Sequence, residues 1–166
     1  AKRLGESLDE LSGIVISHGH EDHTGGLMFY PRLKGKPPVF GHPYIWHKSY
    51  QIRPDKPLRI TGIPVMSRMN ISPVFVPVNN TKQLDDGLYF FTDIPREEGS
   101  FVPTQGNFFN EDGTGPVPLI DDGSLVMKTG NGLVVIMGCA HAGYTNILKA
   151  VHKAFSDEKL LAVIGG

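Results

Sequence analysis

The sequence predicts a mixed α/β fold, and three observations carry that prediction. Short apolar runs are separated by frequent Gly and Pro, 20 and 13 of them in 166 residues, which is the punctuation of sheets joined by loops. Two of those runs flank Gly130-Asn131-Gly132, the clearest hairpin signal in the chain. Near the end, an apolar run, an amphipathic segment and another apolar run follow one another, the order that feeds a right-handed crossover between parallel neighbours.

The elements follow in chain order. Ser7 to Leu11 reads as a short helix stopped by Gly13, and Gly13 to Ser17 (GIVIS) as a buried strand, because three successive branched residues leave it no polar face. That strand delivers the chain into HGHEDH. Leu27 to Leu33 reads as a helix start limited by Pro31, Pro38 to Phe40 as a strand, and Pro43 as the N1 residue of a helix through YIWHKSY. Val74 to Val78 and Leu88 to Thr92 are further strands. Asp93 to Asp122 is a loop too long for a plain connection, and loops of that kind usually serve function. Ser124 to Thr129 and Leu133 to Met137 form the hairpin. In TNILKAVHKAF, Thr145 is a cap candidate and Ile147, Val151 and Phe155 repeat at i, i+4 and i+8, one face of a helix. Leu160 to Ile164 is the closing strand.

Charge and composition narrow the function classes. Sixteen Lys+Arg against 17 Asp+Glu leave a formal net charge of −1, which argues against a nucleic-acid surface built on bulk charge. A chain this long buries roughly 70% of its unfolded surface and needs no staple; a single cysteine, Cys139, permits no internal disulfide. No run reaches the ~18 apolar residues of a membrane helix, and AKRLGESLDE lacks a signal-peptide core, so a cytoplasmic location is the expectation. The whole of 1–166 reads as one domain. It opens without Met and stops on the apolar LLAVIGG, and so reads as a piece of a longer protein.

The chemistry concentrates in His18, His20, Asp22 and His23, an H-x-H-x-D-H pattern in which three of the seven histidines fall within six residues. Imidazole and carboxylate are ligands that zinc, manganese and ferrous iron accept. In an extended segment residues two apart point the same way, so His18 and His20 can grip one ion. Asp22 and His23, beyond a turn, then address a second, the arrangement of a binuclear hydrolytic site. A histidine-rich loop with no ligand is the bland alternative, but the cluster follows a strand and precedes Gly25-Gly26, unlike a terminal tag.

The text IVISHGHEDHTGGL, Ile14 to Leu27, resembles the signature of the metallo-β-lactamase superfamily. Ile94 to Phe109, Asp121 to Val126 and Gly132 to Leu148 are similar to one branch of it, which contains dihydropterin-linked synthases of methanopterin biosynthesis and metal-dependent hydrolases. The resemblance implies a four-layer αββα sandwich, here incomplete, lacking its first strands and its C-terminal segment. It implies one ion on His18, His20 and His141, and a second on Asp22, His23 and a further histidine that lies past the IGG of Ile164 to Gly166. Asp22 also orients, or takes a proton from, the nucleophilic water. Where such proteins carry a bridging aspartate after a Gly, this chain has Cys139 after Gly138. Cys139 is either a thiolate ligand, which makes the site softer and favours zinc or iron over manganese, or a small buried residue.

Several other residues carry two readings. His141, separated from LVVIM by three small residues, reads as a ligand held by a strand-to-helix turn. His42 faces a cleft or is a satisfied core or surface histidine; His152 is solvated. Arg96, beside Glu97 and Glu98, holds a substrate phosphate or carboxylate or belongs to a solvated charge cluster. Phe101, Phe108 and Phe109 stack on a heterocycle or pin the loop. Asp121 and Asp122 read as a turn before a strand.

The expected function is metal-dependent hydrolysis, a metal-bound hydroxide attacking an anionic ester or phosphoester small molecule, with two divalent ions as cofactors, zinc first and Fe2+ or Mn2+ after it. The alternatives are a pterin-linked transferase, condensing a dihydropterin diphosphate with a ribofuranosylaminobenzene phosphate, and an iron-binding redox or non-catalytic metal-binding module. The oligomeric state is not legible.

Overall fold

A computed structural model describes residues 5, 7–53, 55–97 and 108–166. Glu98 and Phe101 lie outside the described residues. The described chain forms three sheets. In the first, β1 (Ile14–Val15), β2 (Val39–Gly41) and β5 (Phe75–Pro77) run parallel in that order. In the second, β11 (Leu160–Ile164), β10 (Gly132–Met137), β9 (Ser124–Thr129), β7 (Leu88–Phe91) and β6 (Thr81–Asp85) lie side by side. The third is small and antiparallel: β4 (Arg59–Ile60), β3 (Tyr50–Gln51) and β8 (Phe108–Phe109).

The second sheet contains the elements that the sequence marks most clearly. β9 and β10 pair antiparallel around the GNG turn, Thr129 opposite Gly132, with the Thr129 hydroxyl donating to the Gly132 carbonyl. β10 and β11 pair parallel on either side of α3 (Tyr144–Ala154). Inward-pointing Val126, Leu133, Val135 and Met137 meet Ile147 and Val151 of α3, all at most 6% exposed. At roughly 1.5–3 kcal/mol for each fully buried branched side chain, this face holds the helix to the sheet. The basic His152 and Lys153 in its last turn suit the negative end of the helix dipole. Thr145 is not the cap. Gly143, at φ 88°, precedes the first helical residue and places Thr145 inside the helix, because a left-handed residue is needed to turn the chain off the preceding loop.

On the far side, Ile16, Leu27, Tyr30, Val39, Ile45 and Ile71 form a second core. It joins β1 and β2 to α2 (Val65–Ile71) and to a 3₁₀ segment, Gly25–Arg32. The layer order is therefore helix, sheet, sheet, helix. Alternate residues of the two sheets, among them Val15, Phe90, Leu125 and Ile136, line a cavity of about 410 Å³ between them.

Besides the cap at Thr145, four sequence expectations change. Ser7 to Leu11 is a turn, held by the Asp9 N–H donating to the Ser7 hydroxyl, since Ser as a local acceptor competes with helical bonding. The strand GIVIS narrows to two residues at the edge of its sheet, and Ile14 and Val15 are only partly buried. The helix at Pro43 is a four-residue 3₁₀ turn, Pro43–Trp46, after which the chain enters β3. The helix at Leu27 begins earlier, at Gly25, and as 3₁₀ geometry it passes through Pro31. β6, α2 and the third sheet are additions that local periodicity does not mark.

Candidate metal centre

The motif leaves β1 in extended conformation and turns at His20 (φ −64°, ψ 148°) into α1 (Glu21–Thr24). The turn is built on the His20 carbonyl, which accepts the N–H groups of His23 and Thr24 at 3.1 and 3.0 Å and the Thr24 hydroxyl at 2.8 Å. Glu21 and Asp22, in the first turn, suit its positive end, and Glu21 also pairs with Arg59 across the cleft. Gly19 sits where a side chain has no room: a Cβ there would stand 2.6 Å from the Ile45 carbonyl oxygen.

His141 arrives from the end of β10 through Gly138, Cys139 and Ala140. A Cβ on Gly138 would come within 2.6 Å of Ser17 Cβ, so glycine is what lets the two ligand loops touch. Ala140 adopts φ 49°, a left-handed conformation costing about 1–2 kcal/mol in a non-glycine residue. The carboxylate of Asp122 sits against the two amides that follow, accepting from the N–H of Ala142 at 3.1 Å and from that of His141.

These loops bring four imidazoles together. Ring centroids lie 4.7 Å apart for His18 and His20, 4.7 Å for His18 and His141, 5.0 Å for His20 and His141, and 4.2 Å for His18 and His23. One ligand atom each from His18, Cys139 and His141 falls within 4.8 Å of the others. The Cys139 sulfur is also 3.1 Å from Nε2 of His23, whose same nitrogen stands 3.6 Å from an Asp22 oxygen. The thiol is thus within reach of His18, His141 and His23, whose ring also adjoins that of His18.

Burial controls the protonation of this cluster. His18, 1% exposed, is lowered to about 2, chiefly by burial and then by the neighbouring His141, His20 and His23. His141 is lowered to about 4 by burial and by His20 and His23, and burial lowers His20 as well. The Cys139 thiol is raised, first by burial and then by Asp22 and Asp122. The Nε2 atoms of His18 and His20 are buried with no hydrogen-bond partner among the described residues. Ser17 Oγ lies 3.1 Å from Nδ1 of His18. With Nδ1 protonated toward that hydroxyl, Nε2 presents a bare lone pair to the cluster. Neutral, inward-facing imidazole nitrogens beside a thiol and a carboxylate are a donor set that fits a borderline divalent cation.

Other residues singled out in the sequence fall elsewhere. His42 is 5% exposed; its Nδ1 accepts the Tyr44 N–H at 3.2 Å, capping the 3₁₀ turn, and its Nε2 meets Asp93 at 3.0 Å. Both ring nitrogens are engaged within the protein, the satisfied-core reading. Arg96 is half-buried and donates to the Leu119 carbonyl, beside the charges of Asp121 and Asp122. Its guanidinium is turned to internal acceptors. His152 is exposed. Phe108 stacks on His20 at 4.9 Å and 26°. It walls a polar cleft of about 170 Å³ bordered by His20, Asp22, Gln51, Arg59 and Thr61.

Asp121 and Asp122 are what local reasoning undervalues. They are 6% and 2% exposed. Asp121 accepts the Gly19 N–H at 2.6 Å, across 102 positions of sequence. Burial raises Asp122 to about 6 against its two backbone donors. Two adjacent acids before a glycine look like a turn, and the only further signal available was their position at the start of an apolar strand.

Comparison with known proteins adds the family to this geometry. The family model of the metallo-beta-lactamase superfamily matches residues 1–153. A 7,8-dihydropterin-6-methyl-4-(beta-D-ribofuranosyl)-aminobenzene-5'-phosphate synthase of Methanocaldococcus jannaschii is 29% identical over 172 residues, covering 99% of this chain and 58% of its own length. A solved metal-dependent hydrolase of the beta-lactamase superfamily is 29% identical, with a TM-score of 0.79 over 100% of this chain and 60% of its own. An N-acyl homoserine lactone hydrolase, solved with product at its catalytic metal centre, is alike in fold alone, at 16% identity and a TM-score of 0.50 over 99% of this chain and 59% of its own. This chain thus spans about three fifths of the length of the relatives that match it throughout. Among the described residues, no helix is long and apolar enough to cross a membrane.

Proposed function

Because the chain belongs to the metallo-beta-lactamase superfamily, we propose that it is a hydrolase that works with two divalent ions on an anionic ester or phosphoester of a small molecule. The observation that carries this reading is the convergence of His18, Cys139 and His141 within 4.8 Å, with the rings of His20 and His23 beside them. His18, His20 and His141 would hold one ion, Asp22 and His23 the other, and the Cys139 sulfur is near enough to both groups to serve either. Zinc suits this mixed nitrogen, oxygen and sulfur set best, with ferrous iron and manganese after it. Ions bound there would supply Lewis acidity, making water a better nucleophile and offsetting negative charge on the reacting oxygens.

The chain's own residues do the rest. Asp22, with its side chain 71% exposed on the first turn of α1, offers a carboxylate oxygen to accept the proton of the attacking water. Ser17 keeps His18 in the tautomer whose Nε2 faces the cluster. The substrate's anionic group enters the polar cleft beside Asp22 and His20, with Phe108 as its wall and Arg59, opposite Glu21, at its mouth. The larger space between the sheets is more apolar than polar, with Ser17, His23 and Cys139 along one side, and suits that group less.

A second reading is favoured by the archaeal synthase, whose 29% identity extends over 99% of the chain. It is a pterin-linked transferase that uses the same side chains, in which bound ions would supply the positive charge that a diphosphate leaving group needs. Elemental analysis of the purified protein should give close to two ions per chain, and bis(4-nitrophenyl) phosphate should be turned over. Turnover only of a dihydropterin diphosphate with an arylamine selects the transferase, and protein that takes up no divalent ion refutes both.

A further inference from the structure

The two loops that carry the imidazoles meet a third segment, and that segment touches both through adjacent residues. Asp121 Oδ2 accepts the N–H of Gly19, the residue between His18 and His20, at 2.6 Å. Asp122 Oδ2 accepts the N–H groups of His141 and Ala142. Gly123 N–H donates to the Ser17 carbonyl at 2.7 Å. Three consecutive residues thus tie the motif loop on one side and the His141 loop on the other, and both acids are at least nine-tenths buried.

The chemistry of these contacts is specific. Each acid meets a ligand loop through backbone N–H groups, so what it fixes is the path of the main chain. Gly19 runs close beside the Ile45 carbonyl, where a side chain would have no room. The His141 loop carries the left-handed Ala140, a conformation that persists only where surroundings hold it. Arg96 lies close enough to both acids to offset their buried charge, which gives that arginine a role inside the protein.

We infer that Asp121 and Asp122 are the positioning residues of the metal centre, holding the His18–His20 and His141 loops at the separation that one ion needs. The inference rests on the metal reading above. Groups behind a metal's ligands that orient them typically change its affinity 10- to 100-fold when removed.

The test is zinc affinity, measured by competition with a chromophoric chelator, alongside thermal melting of the metal-free protein. Asp121→Ala and Asp122→Ala should each weaken zinc binding more than tenfold. Asp121→Asn and Asp122→Asn should stay within tenfold of wild type, because an amide oxygen accepts the same N–H groups. Alanine variants that bind zinc like wild type, or asparagine variants as weak as alanine, overturn the inference while leaving the metal centre standing. If an alanine variant shows no cooperative melt, its asparagine partner decides at the same tenfold threshold. His18→Ala serves as the reference for a lost ligand. A wild-type protein that takes up no zinc is a different result: it removes the metal reading, and this inference with it.

Discussion

Acid should destabilise the metal-free protein more than its composition suggests, and the imidazole cluster sets the size of the effect. His18 and His141 are held at about 2 and about 4 in the folded chain, against 6.5 once it unfolds. Above pH 6.5 both states are neutral there and the groups contribute no pH dependence. Below it the unfolded chain takes up protons that the folded chain refuses, so stability falls with falling pH. Between pH 7 and pH 5 this removes about 2 kcal/mol for each histidine. Asp122 acts in the opposite sense: raised to about 6, it is protonated first in the folded state and returns about 1 kcal/mol over the same interval. The net loss from these three groups should be on the order of 3 kcal/mol, and His20, also lowered by burial, adds to it in the same direction. Urea unfolding of chelator-stripped protein at pH 7, 6 and 5 measures it. Stability that is flat across that range refutes the reasoning, as does a loss equally steep in His18→Asn, because removing the titrating ring should flatten the curve.

Three more outcomes follow from the packing and the site. Gly138→Ala forces a methyl group into Ser17, an overpacking cost of about 1–3 kcal/mol, and it should lower zinc affinity by parting the two ligand loops; an unchanged melting temperature would contradict it. Ile147→Ala opens a cavity between α3 and the second sheet and should cost about 2–5 kcal/mol in denaturant unfolding without changing metal content per folded chain. Cys139→Ser separates the two roles of the thiol: fewer ions per chain by elemental analysis identifies a ligand, and full content with a slightly lower melting point identifies a packing residue.

How much of this was legible in the sequence differs by element. α3, the β9–β10 hairpin and the parallel β11 were readable because each is specified locally, by a repeat of apolar residues or a glycine turn within a dozen positions. The third sheet was not, because its strands are two residues long and owe their pairing to partners distant in sequence, as Tyr50 does to Phe109.

The centre divides along the same line. By itself the sequence determined the candidate ligand types and their spacing: His18, His20, Asp22 and His23 fall on one strand-to-helix turn, and His141 on another, because short-range geometry sets where such side chains stand. Only the tertiary structure decided that Cys139 meets His23, that His42 spends both ring nitrogens on the fold, and that Asp121, Asp122 and Arg96 serve inside the protein. A carboxylate or guanidinium takes its role from whichever donor or acceptor faces it once water is excluded. Those facing groups come from chain segments up to 102 positions away, where no local pattern reaches.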